Sequence, residues 1–127
     1  MPSTFAQIQS ESATWKRLLC FLMDENIHLK NRLSEILKGD CDVPLLAKLE
    51  AFQTSFICTD TLVALLRNDL ADFEKRLETD ETGELLINKN ISCRLQRMRR
   101  NISVAGLIFN QRQTAFNNYL GKYLMDV

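Results

Sequence analysis

Glycine and proline are scarce, with four and two residues in a chain of 127. That argues against a loop-rich or β-rich fold, because turns and hairpins draw on both residue types. Net charge is absent too, since sixteen bases balance sixteen acids. No global field therefore steers the chain towards nucleic acid or an acidic membrane. Histidine occurs once, at His28, so no serine or cysteine has an obvious general base. Long apolar runs are missing. The longest, Leu18–Met23 and Leu62–Leu66, fall far short of the about 20 residues that span a bilayer. Residues 1–17 lack the basic start and apolar run of a signal peptide. The four cysteines, Cys20, Cys41, Cys58 and Cys93, share no close pair and no C-x-x-C spacing. They read as reduced thiols of a cytoplasmic protein.

What is present is heptad periodicity. Phe5, Ser12, Leu19, Asn26 and Leu33 form one line of a seam, and Ile8, Trp15, Leu22, Leu29 and Ile36 the other. Two mainly apolar lines repeating every seven residues make a helix with one stripe that must be covered. This helix is expected over about 4–38. Ser3 or Thr4 can cap its start, and Gly39 can end it in the left-handed conformation.

A second seam runs through Leu49, Phe56, Val63, Leu70 and Leu77, paired with Leu45, Phe52, Thr59, Leu66 and Phe73. It predicts a helix over 44–78, with Asp42 or Val43 at the cap and Pro44 in the first turn. A third helix is expected over 84–124. Its lines are Leu95, Ile102, Phe109, Phe116 and Tyr123, with Ile91, Met98, Ala105, Arg112 and Tyr119.

Links of about five residues, at Gly39–Val43 and Thr79–Gly83, force antiparallel neighbours. The chain therefore reads as a single helical-bundle domain over 1–127. It is all-α: an elongated antiparallel up-down-up three-helix bundle with coiled-coil-like heptad packing. Long heptad helices of this kind resemble spectrin-type repeats in general architecture, a likeness of shape that carries no function.

The short links also set a register. Asn26 is expected beside Phe56 or Thr59 and near Ala105 and Gly106, as a polar layer in mid-bundle. Asn26 and Thr59 would fix the register, because one buried Asn excludes slipped pairings. Arg112 is expected near Leu29 and Phe52, with Glu35 or Glu50 meeting its head group while its stem packs; alternatively the seam drifts there and Arg112 reaches water.

The second helix has an unusual outer face. Between Glu50 and Arg67 its only charge is Asp60. A solvated face carries Lys and Glu, and a helix apolar all round is normally buried. Two flanking helices cannot cover the back of a third. The first helix is apolar over a wide arc at the same height. Cys20, Phe21, Met23, Ile57, Cys58, Thr61, Ala64 and Leu65 are therefore the expected oligomer interface, with a second copy as the simplest partner. The other reading is a bent bundle that wraps these residues internally.

Candidate chemistry is thin. Glu25 and His28 match the Glu-x-x-His pair of di-iron bundles, but such a site needs two of these motifs. The seam turns His28 outward, where Asp24 can pair with it. Cys41 lies between Asp40 and Asp42, whose charges disfavour its thiolate. No catalytic residue, metal ligand or cofactor follows. The run 89–100 holds Arg94, Arg97, Arg99 and Arg100 and no acid, so it could contact phosphates. Residues 69–84 carry an acidic excess that can neutralise it, with Arg94 expected near Asp69.

The function that follows is a non-enzymatic bundle acting through protein–protein contacts as a homodimer. A nucleic-acid-associated regulator using 89–100 is the alternative. A small-molecule binder at the Asn26–Thr59 layer is the third.

Overall fold

The computed structural model describes residues 5–79 and 89–125, with side chains described over 5–77 and 91–123. Three helices form the bundle: α1 over Phe5–Leu37, α2 over Val43–Thr79 and α3 over Lys89–Met125. No strand occurs among the described residues. The expected caps Ser3 and Thr4, the link residues 80–83 and the expected start of the third helix at Glu84 lie outside the described residues.

The ends of α1 and α2 follow from local hydrogen bonding. Asp42 is the cap of α2. Its Oδ1 accepts from the Leu45 amide at 2.8 Å, and its carbonyl accepts from Leu46 at 2.9 Å. Pro44 then falls in the first turn, where no amide hydrogen is needed. Gly39 differs from expectation. No described glycine has a left-handed backbone. Instead α1 tightens at its end, with the Lys38 amide donating to Glu35 at 3.3 Å and the Gly39 amide to Ile36 at 3.1 Å. These bonds to the third residue back satisfy terminal carbonyls without a left-handed cap.

Every position of the α2 seam, from Leu45 to Leu77, is buried. Each fully buried Leu or Phe there contributes roughly 1.5–3 kcal/mol relative to exposure. The contacts run antiparallel between α1 and α2, where Lys16 meets Glu74 and Lys30 meets Asp60. They run antiparallel again between α2 and α3, where Asp72 meets Arg94 and Phe52 meets Tyr119. Consequently α1 and α3 are parallel, as Glu11–Arg99 and Arg32–Asn117 record.

The α3 seam departs from its expected lines in the C-terminal half. Leu120 is buried, whereas Arg112, Tyr119 and Tyr123 are only half-buried. A straight helix drifts by about 20° per heptad against a strict seven-residue repeat. Over α3 that drift moves Arg112 and Tyr119 to the edge facing α2 and brings Leu120 inward. Below the bundle's midpoint an aromatic cluster fills the core. The rings of Phe56 and Phe116 meet edge-on at 5.1 Å, and those of Phe52 and Phe116 at 5.2 Å.

Candidate functional site

The polar layer spans all three helices and holds different α3 residues from those expected. Asn26 and Thr59 are each 1% exposed. The Asn26 amide nitrogen donates to the Phe56 carbonyl at 2.9 Å and to Asp60 Oδ1 at 2.7 Å. Lys30 closes on the second oxygen of Asp60. Thr59 donates to the Ser55 carbonyl at 3.1 Å and accepts from Arg112 at 2.7 Å. Arg112 also donates to the Ser55 carbonyl at 3.1 Å.

Arg112 was expected to meet Glu35 or Glu50, one layer away from Asn26. It meets neutral oxygens of the Asn26 layer instead, because α3 sits about one turn further along than short-link register implies. The same shift carries Arg94 to Asp72, at 2.9 Å, rather than Asp69. It also takes Ala105 and Gly106 out of the Asn26 layer. A Cβ on Gly106 would meet nothing within 4 Å, so no close helix approach demands a glycine there.

Asp60 is a member of the layer that the sequence left without a role. It is the lone charge of α2 between Glu50 and Arg67. In the structure it is half-buried and turned to Asn26 and Lys30. The signal was its position next to Thr59. One step along a helix is 100° of rotation, which puts Asp60 at the seam's edge towards α1.

With Asp60 turned inward, the outer face of α2 from Ala51 to Leu65 presents no charge. Ile57 is 54% exposed and Leu65 is 58% exposed, and Cys58, Thr61 and Ala64 lie exposed beside them. The bundle does not wrap this face. At 100° per residue these side chains occupy one arc of about 120° directly opposite the seam.

The α1 members of the expected interface lie apart from that arc. Met23 is half-buried in the α1–α2 groove, with Arg67 resting on its sulfur at 3.2 Å. Cys20 is half-buried on the back of α1. Phe21, 56% exposed, projects on the α3 side of its helix. The sequence placed these residues at one height, and the rotation about the bundle axis separates them. Alongside Ala64 and Arg67 the α1–α2 groove is open, with about 270 Å³ beside Ile27 and about 400 Å³ beside Lys16.

The basic stretch is divided. Arg94 is held by Asp72. Arg99 makes a two-pronged contact with Glu11 across the α1–α3 groove, at 2.5 and 3.0 Å. The Glu11 hydrogen bond raises the Arg99 pKa, burial lowers it, and the Glu11 charge raises it further. A raised pKa contributes stability at every pH below the group's ordinary range and loses it only above. Arg97 and Arg100 are exposed on the outside of α3.

His28 is exposed, and no hydrogen bond joins it to Asp24 among the described interactions. No group of three or more His, Cys, Asp or Glu among the described residues could hold a metal ion. All four cysteines are free.

By length and composition, Val43–Leu77 is apolar enough to cross a membrane, with a mean hydropathy of 1.2 over its best 18-residue window and 33% of that window buried. The core helix of a bundle passes the same test, and this helix supplies the seam of the core.

The chain matches no family model, no curated protein and no solved structure.

Proposed function

We propose that this chain is a non-enzymatic helical bundle that works through protein–protein contacts, self-associating as a homodimer through the outer face of α2. One observation carries the reading. The single charge between Glu50 and Arg67 faces the bundle, so Ile57, Cys58, Thr61, Ala64 and Leu65 form an exposed face with nothing charged in it. Contiguous apolar surface of this kind marks interfaces. The small residues among them let a second helix approach closely. Heptad seams on all three helices support coiled-coil-like packing within each copy, and the four free thiols fit a reducing, cytoplasmic setting.

Sedimentation velocity over a range of micromolar concentrations tests the reading. A dimer is expected, and Ala64→Glu is expected to dissociate it with unchanged helicity by circular dichroism. A clean monomer at the highest concentration would sink it.

The nucleic-acid reading draws on Arg97 and Arg100, which are exposed, while Arg94 and Arg99 already have carboxylate partners. The small-molecule reading draws on the Asn26–Thr59 layer, whose polar groups bond mainly to one another.

A further inference from the structure

We infer that the groove between α1 and α2 binds a small aliphatic carboxylate, held at Arg67. Three contacts cross this groove, one heptad apart on each helix. Lys16 meets Glu74 at 3.1 Å, Arg67 meets the Met23 sulfur at 3.2 Å, and Lys30 meets Asp60. The outer two are ion pairs. The central one sets a guanidinium against a thioether, which is only a weak acceptor.

Among the described residues, no carboxylate lies within ion-pair distance of Arg67. The acids of the groove are already engaged, Glu74 by Lys16, and Asp60 by Lys30 and Asn26. The row of cross-groove contacts therefore holds three cations against two anions. The missing negative charge is at its centre.

The space around Arg67 suits a ligand with an apolar body. Recesses of about 400 and 270 Å³ meet there, with Ala64 and Arg67 in the wall of both. Leu70 and Ala71 line the larger one, and Met23 and Ile27 the smaller. Small-molecule sites are of this size, mostly apolar, with a few charged groups that fix orientation. A carboxylate matches the planar fork of a guanidinium, which can donate two parallel hydrogen bonds to it. Each neighbouring ion pair crosses the groove about 10 Å from Arg67 along the helix axis. That span admits a short unbranched chain. A helix laid along the groove would have to displace both ion pairs.

Titration of the full chain with octanoate, followed by amide NMR, tests the site. Octanol, which lacks the charge, and acetate, which lacks the chain, are the comparison arms. Octanoate is expected to shift the amides of Met23, Ala64, Arg67 and Ala71 saturably, and neither comparison compound is expected to saturate over the same range. No saturation with octanoate, or equal binding of octanol or acetate, would overturn the proposal. Arg67→Met is expected to weaken octanoate binding about ten- to hundred-fold. Met23→Glu supplies the missing carboxylate from within the chain, so it is expected to weaken binding by a similar factor with unchanged helicity by circular dichroism. Met23→Gln alters the same side chain without adding charge and is expected to keep octanoate affinity within a few-fold. Unchanged affinity in Arg67→Met or Met23→Glu, or an equal loss in Met23→Gln and Met23→Glu, would also overturn it.

Discussion

Asn26 is the sharpest test of what the polar layer does. It is 1% exposed, its amide nitrogen makes two hydrogen bonds, and its amide oxygen is buried without a partner. The bond to the Phe56 carbonyl contributes about 0.5–1.5 kcal/mol, and the bond to the Asp60 carboxylate about 1.5–3 kcal/mol. Asn26→Ala removes both bonds and leaves a small void, but it also removes the unpartnered oxygen, at about 1–3 kcal/mol, so a net loss of about 1–3 kcal/mol is expected.

Asn26→Leu is different. It also forfeits the bonds and removes the unpartnered oxygen, but where Ala leaves a void it adds apolar burial worth about 1.5–3 kcal/mol. The gains roughly cancel the losses, so Asn26→Leu is expected within about 1 kcal/mol of the parent. Specificity is what it should lose, because an apolar layer no longer penalises slipped pairings. Urea unfolding followed by Trp15 fluorescence measures both stabilities, and amide NMR linewidths read conformational exchange. Equal destabilisation by Leu and Ala would refute this reasoning and make the layer a net source of stability. Sharp, single-conformer spectra for Asn26→Leu would remove its register role.

Phe56 is fully buried and packed edge-on against Phe116, so Phe56→Ala is expected to cost about 3–5 kcal/mol in denaturant unfolding. Gly106 lies inside α3 with open space where a Cβ would sit. Gly106→Ala is therefore expected to stabilise the fold by about 0.5–1 kcal/mol, read as a higher unfolding midpoint. Removing the two exposed arginines of the 94–100 run with Arg97→Ala and Arg100→Ala tests the nucleic-acid alternative. No DNA or RNA retardation is expected for the parent at about 50 mM salt, whereas retardation that both substitutions abolish would favour that alternative.

Much of the core was readable because helical periodicity needs only local information. The Leu45–Leu77 seam could be assigned residue by residue, since apolar positions spaced seven apart must share one face. The cap of α2 was readable to within one residue, as Asp42 or Val43, because Pro44 marks the first turn of a helix. The candidate face on α2 was legible as a charge gap between Glu50 and Arg67. Leu120 was missed because a strict seven-residue count ignores the drift of a real helix.

The chain's own pattern therefore determined three long helices, their antiparallel order, the α2 seam and an unusually uncharged back to α2. Tertiary structure decided the rest, because it depends on rotation and axial shift between helices, which no single helix encodes. A shift of about one turn in α3 brought Arg112 to Thr59 and took Arg94 to Asp72. Rotation about the bundle axis set Phe21 apart from Ile57 and Leu65. The same packing made Asp60 the partner of Asn26 and Lys30, a role that its place in the sequence did not show.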